Sequence, residues 1–136
     1  MIDWHQIRDI IAPVFDRLVN SIVILRPDVQ VSSDTWMIRS GRFPLYVYRS
    51  FSIPQLDFEV DSVVTGIQFK HTDTGFHICG DVCGEANGTI FAEHEMETGP
   101  SQSELETASR ILAAVLEQKI DVIVQALDFP ELVKES

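Results

Sequence analysis

Between Ile67 and Met96, two turn sequences separate three runs rich in β-branched and aromatic residues: Thr72-Asp73-Thr74-Gly75 and Glu85-Ala86-Asn87-Gly88. Asn-Gly supplies the positive φ angles that a tight antiparallel reversal needs, so this stretch is expected to fold as two consecutive hairpins. Strand alternation then sorts the side chains. With the second loop centred near Ala86, Phe76, Ile78, Gly80 and Val82 share a face with Ile90, Ala92, His94 and Met96. The opposite face holds His77, Cys79, Asp81 and Cys83 beside Thr89, Phe91, Glu93 and Glu95. The first set suits a core covered by helices. The second is acidic and is expected to meet solvent or a partner.

The rest of the chain supplies the cover. Trp4, Ile7, Ile10, Ile11, Val14, Phe15, Leu18 and Val19 recur at helical spacing, with Asp3 placed as N-cap and Gln6 three residues on. Pro13 interrupts this pattern and predicts a kink or two shorter helices, because it lacks the N–H of an interior turn. Further strands are expected at Ile22–Leu25, Val29–Val31, Thr35–Arg39, Leu45–Ser52 and Phe58–Lys70, with breaks at Ser40-Gly41-Arg42 and Pro54-Gln55. After Gly99-Pro100, Ser101 or Ser103 can cap a helix in which Glu104 or Glu106 completes a capping box. Leu105, Ala108, Ile111, Leu112, Val115, Leu116, Ile120, Val122, Ile123 and Leu127 give it a broad apolar face, and Pro130 stops it. The expected fold is α+β: an antiparallel sheet of about five to six strands, with an N-terminal helix and a long C-terminal helix packed on one face. The whole of 1–136 reads as a single domain, with no internal repeat or linker.

Charge distribution narrows the function. The net charge is −11 over 136 residues. Residues 71–109 carry Asp73, Asp81, Glu85, Glu93, Glu95, Glu97, Glu104 and Glu106 and no Lys or Arg. Such a field repels nucleic acid and anionic membranes and draws in basic proteins. Arg26, Arg39, Arg42 and Arg49 are scattered among acids and form no basic stripe. Hydrophobic residues are 45% of the chain, enough for a core, yet no apolar run reaches the roughly 20 residues a membrane span requires. With no basic-then-apolar leader pattern at the N-terminus, a cytoplasmic location is expected.

Little in the sequence points to catalysis. Cys79 and Cys83 on one strand would lie about 13 Å apart, beyond disulfide reach, and are read as reduced thiols. The spacing His77-x-Cys79-x3-Cys83 does not match the close turn pairs of structural zinc sites, so no metal is expected. A Cys–His nucleophile would lack the basic neighbours that lower a thiol pKa. Phosphate-binding loops are absent, and no cofactor is implied. The sequence reads as non-enzymatic. Trp36, Phe43, Tyr46, Tyr48 and Phe51 interleave with Arg39, Arg42 and Arg49, the residue types that anchor protein interfaces. Alternation should turn Tyr46 and Tyr48 away from Leu45 and Val47.

The segments Gly75-Phe76-His77-Ile78-Cys79-Gly80-Asp81-Val82 and Gly88-Thr89-Ile90-Phe91-Ala92-Glu93-His94, with the helix start Ser103-Glu104-Leu105-Glu106, cover about a third of the chain. They resemble the TriTu-type immunity family of bacterial polymorphic-toxin and contact-dependent inhibition systems. The resemblance implies a protein that binds and neutralises a basic toxin domain, such as a nuclease, with carboxylates taking the place of substrate phosphates. The residues expected to meet that partner are Asp81, Glu85, Phe91, Glu93, Glu95 and Glu97, in a monomer or homodimer. A small acidic α+β chain with an amphipathic C-terminal helix also resembles type III secretion chaperones, which hold an effector segment and are dimeric. An enzyme of another type is the third alternative.

Overall fold

A computed structural model describes residues 1–37, 42–54, 62–85 and 88–128. The chain order is α1 (Trp4–Leu25), β1 (Gln30–Met37), β2 (Leu45–Ser52), β3 (Val63–His71), β4 (Phe76–Gly84), β5 (Ile90–Thr98), α2 (Gln102–Glu117) and α3 (Ile120–Asp128). The five strands form one antiparallel sheet in sequence order, so every strand pairs with its chain neighbour. The fold is α+β.

Helix α1 begins where Asp3 accepts a hydrogen bond from the Gln6 N–H, and it buries Ile7, Ile11, Phe15, Leu18 and Ile22 as one stripe. Of the two outcomes expected at Pro13, the division into two shorter helices does not occur, and α1 runs through it. Pro13 and Asp9, whose carbonyl loses its interior partner, both lie on the exposed side, where water can satisfy that oxygen. The strand expected at Ile22–Leu25 is instead the last turn of α1. Ile22 completes the buried stripe, and tertiary packing outweighs the β preference of Ile-Val-Ile. Likewise 30–37 form one strand where two short ones were expected. The expected breaks at Ser40-Gly41 and Gln55, Arg39, the start of a strand at Phe58, the Ala86-Asn87 turn centre and the Pro130 stop lie outside the described residues.

The expected long C-terminal helix is two. The N–H groups of Gln118 and Lys119 bond back only three residues, to Val115 and Leu116, closing α2 before α3 starts. The β-branched run from Ile120 onward propagates a helix poorly, while Ile123, Ala126 and Leu127 bury against the core. At the other end of α2 the capping box is present. The Ser101 hydroxyl accepts from the Glu104 N–H at 3.2 Å and donates to the Glu104 carboxylate at 2.7 Å, which also accepts from the Gly99 N–H at 2.7 Å.

The core lies between the helices and the face carrying Leu45, Val47, Phe51, Ile67, Phe69, Ile78 and Val82. Trp4 closes one end, edge-on to Phe69 and Phe76 at 5.5 and 5.4 Å. Arg49 belongs to this side. It is 7% exposed, donates to the Tyr48 carbonyl and to Asp16 of α1, and sits over the Phe15 ring at 5.6 Å. It is therefore not an interface arginine. Each edge strand keeps an exposed residue on the covered face. Ser33 in β1 and His94 in β5 lie on the covered face by register but are exposed.

Candidate protein-binding face

No described helix covers the other face of the sheet, and alternation decides what it presents. In β2, Leu45 and Val47 point into the core and are fully buried, leaving Tyr46 and Tyr48 half-buried on the open side. Register then lines up two rows across the sheet. One runs Trp36, Tyr46, Gln68, Cys79, Glu95, and the next Asp34, Tyr48, Gly66, Asp81, Glu93. Half of the face is therefore aromatic and half acidic. Gly66 joins them: a side chain there would come within 2.8 Å of the Tyr46 ring and 2.9 Å of Tyr48 Cβ, so its absence lets Tyr46 lie down over β3. The two rings stack at 5.0 Å and 26°.

Of the residues expected to meet a partner, Asp81, Glu93, Glu95 and Glu97 come together on β4 and β5. Asp81 is opposite Glu93, Cys79 opposite Glu95, and His77 opposite Glu97, with the His77 ring 3.6 Å from the Glu95 carboxylate. Glu85 stands apart, at the exposed end of β4, where its N–H donates to the Ser62 carbonyl. Phe91 departs from expectation. A register shift opposite Val82 and Cys83 pairs Val82 with Ala92 and Cys83 with Ile90, leaving Phe91 as the extra residue of a bulge. Phe91 packs, half-buried, against the core cluster. Ile90, expected in the core, is 57% exposed opposite Cys83. The bulge exchanges the two.

The electrostatics of the acidic half are strained. Partial burial, then the charge of Glu93 across the strand pair, push the Asp81 carboxyl up to about 6. Burial and then Asp81, Glu93 and Glu95 push the Cys79 thiol up to about 12, so it is protonated at neutral pH and a poor nucleophile. Neither Cys79 nor Cys83 is in a disulfide. The ligand set weighed from the sequence was His77, Cys79 and Cys83. Among the described residues, Cys79 groups with Glu93 and Glu95 instead, their ligand atoms within 4.8 Å of one another. That group mixes a soft, protonated sulfur with two exposed carboxylates and matches no common metal preference.

A cavity of about 370 Å³ opens on the same face between the aromatic half and the β4–β5 turn. Trp36, Tyr46 and Tyr48 form one wall, and Val64, Cys83 and Glu85 lie among the residues that complete it. Sequence reasoning singled out these aromatics and Glu85 separately and did not join them. The usable signal was the alternation of Leu45, Tyr46, Val47 and Tyr48 together with a lone glycine in β3. A second cavity, of about 320 Å³, lies between the end of β5 and the start of α2. No described helix is long and apolar enough to cross a membrane. Comparison with protein-family models, with curated proteins and with solved structures finds no match to this chain.

Proposed function

We propose that this protein is a non-enzymatic binding domain that docks a basic protein on its open sheet face, acting as an immunity protein that neutralises a cognate toxin. The observation that carries this reading is the placement of Asp81, Glu93, Glu95 and Glu97 on the same sheet face as Trp36, Tyr46 and Tyr48, a face that no described helix covers. Burial first and the facing Glu93 second push the Asp81 carboxyl up to about 6, and a cationic partner offsets the charge repulsion between the two. The adjoining tyrosines and Trp36 are the side chains that give interfaces buried area at low entropic cost. On a toxin that cleaves nucleic acid, the carboxylates would occupy the positions of substrate phosphates.

Two other readings give different outcomes. A carboxylate pair with one member near 6 could serve acid–base catalysis, but Asp81 and Glu93 line neither of the two cavities described above. A secretion chaperone would be an obligate dimer. The test is co-expression with the product of the adjacent gene. A stable 1:1 complex that relieves the product's toxicity supports the proposal. Absence of a complex, or an obligate homodimer that holds an extended segment, overturns it.

A further inference from the structure

We propose that the cavity bounded by Trp36, Tyr46, Tyr48 and Glu85 is a receptor for a single arginine side chain of the protein partner. This rests on the reading of the open face as a docking surface and assigns that face its anchor point. The size is the first argument. At about 370 Å³ the cavity is at the lower end of ligand sites, which run from roughly 300 to 1,000 Å³, and it fits a side chain better than a large cofactor.

The chemistry of the lining is the second. Three aromatic rings on adjacent strands make one wall, their faces electron-rich and attractive to a cation. Glu85 is among the residues that line the cavity, and none of the described lining residues is a Lys or Arg that would neutralise it. Charge at the site is felt by the wall itself. Burial first, then Asp81, and further along Glu85, raise the Tyr46 hydroxyl well above the usual phenol range. The cavity thus has an aromatic surface, negative potential and an acceptor, and its described lining holds no cation.

Geometry selects arginine among cations. The Tyr46 and Tyr48 rings stack at 5.0 Å with an inclination of 26°, so each covers one face of the other and the pair leaves a ligand an outer ring face rather than a box. A planar guanidinium can lie on such a surface and still direct its N–H fork at a carboxylate. A compact ammonium gains from the charge but not from stacking, and a quaternary ammonium has no donor for Glu85. Tyr46 can form this wall only because position 66 is glycine. The sequence feature that relates the aromatic and acidic halves therefore also shapes the receptor.

The experiment is titration of the full chain, labelled on its indole N–H groups, with a blocked Gly-Arg-Gly tripeptide observed by NMR. Trp36 is 55% exposed at the cavity, whereas Trp4 packs into the core and serves as internal control. The expected result is a saturable shift of the Trp36 indole signal with the Trp4 signal unmoved. The corresponding citrulline tripeptide, neutral and nearly isosteric, should give no saturation. The lysine tripeptide and tetramethylammonium should bind several-fold more weakly, and Glu85→Gln should weaken the arginine tripeptide about fivefold. Trp36→Ala, read on backbone amides of β4, should weaken it about threefold without unfolding an exposed site.

Equal shifts from arginine and citrulline tripeptides, or none from either, would overturn the receptor. Preferential binding of tetramethylammonium would overturn the choice of arginine. The two levels of the account remain separable. A co-purified partner whose affinity ignores Glu85→Gln and Trp36→Ala removes the receptor and leaves the docking face. Arginine binding with no complex at all leaves the receptor and removes the proposed role.

Discussion

Replacing Asp81 by Asn should stabilise the free protein at neutral pH. Its carboxyl is raised from an ordinary 3.8 to about 6, a difference of about two units. Each unit corresponds to about 1.4 kcal/mol, so the ceiling is about 3 kcal/mol. Asp81 is only partly enclosed on an open face, and solvent screening reduces this to about 1 kcal/mol. The sign follows from proton binding. Between about pH 4 and 6 the folded protein holds a proton on Asp81 that the unfolded chain has released, so stability falls as pH rises through this window. Above 6 both states are ionised and the full penalty is present. Below 4 both are protonated and the penalty vanishes. Asn mimics the protonated form at every pH, and the Asp81 backbone carbonyl that accepts from the Thr65 hydroxyl is unaffected. Thermal melts of Asp81→Asn and the native chain at pH 4, 5, 6 and 7.5 should nearly coincide at the lowest value. At pH 7.5 they should separate by roughly 2–4 °C in favour of the variant. A variant less stable at pH 7.5, or a difference independent of pH, would refute the argument that Asp81 is held against its ionisation preference. The same variant should bind the partner more weakly, since it removes the charge the partner compensates.

Other expectations follow from particular contacts. The double reversal Glu93→Lys and Glu95→Lys should leave the melting temperature unchanged or slightly higher, because both residues are exposed and Glu93 opposes Asp81, while weakening partner binding at least tenfold in calorimetry. Affinity for the partner should fall steeply between 50 and 500 mM salt, and flat salt dependence would remove the electrostatic mechanism. Ser101→Ala should cost about 1 kcal/mol in denaturant unfolding through loss of the α2 cap. Arg49→Ala should cost about 2–3 kcal/mol and Arg49→Met clearly less, because much of what Arg49 contributes is its stem packed beneath α1. Equal costs would place its contribution in the Asp16 ion pair.

Legibility in the sequence tracked how local each determinant was. The antiparallel pairing of β3, β4 and β5, the Leu45–Ser52 strand and Ser101, one of the two caps expected, follow from residues within a few positions of one another. Helix α1 continuing through Pro13 and Ile22 was not legible, because the stripe that holds it together gains its energy only once the sheet is present. The division of the C-terminal helix, a matter of three-residue bonds at Gln118 and Lys119, left no periodicity break to read. For the site, Asp81, Glu93, Glu95 and Glu97 followed from simple alternation. Phe91 and Ile90 did not, since a one-residue bulge exchanges their faces without a glycine to announce it. The union of the aromatic and acidic halves needed strand order as well, which hairpin chemistry specifies only from β3 onward.

The central claim is that the open face of the sheet, not the helix layer, receives the partner. Hydrogen exchange of the complex with the adjacent gene's product, compared with the free protein, tests it most directly. The account predicts new protection around Tyr46–Tyr48, Cys79–Cys83 and Glu93–Glu97, with the outer surfaces of α1 and α2 unchanged. Protection confined to the exposed sides of α1 and α2, with the sheet face exchanging as in the free protein, would contradict it.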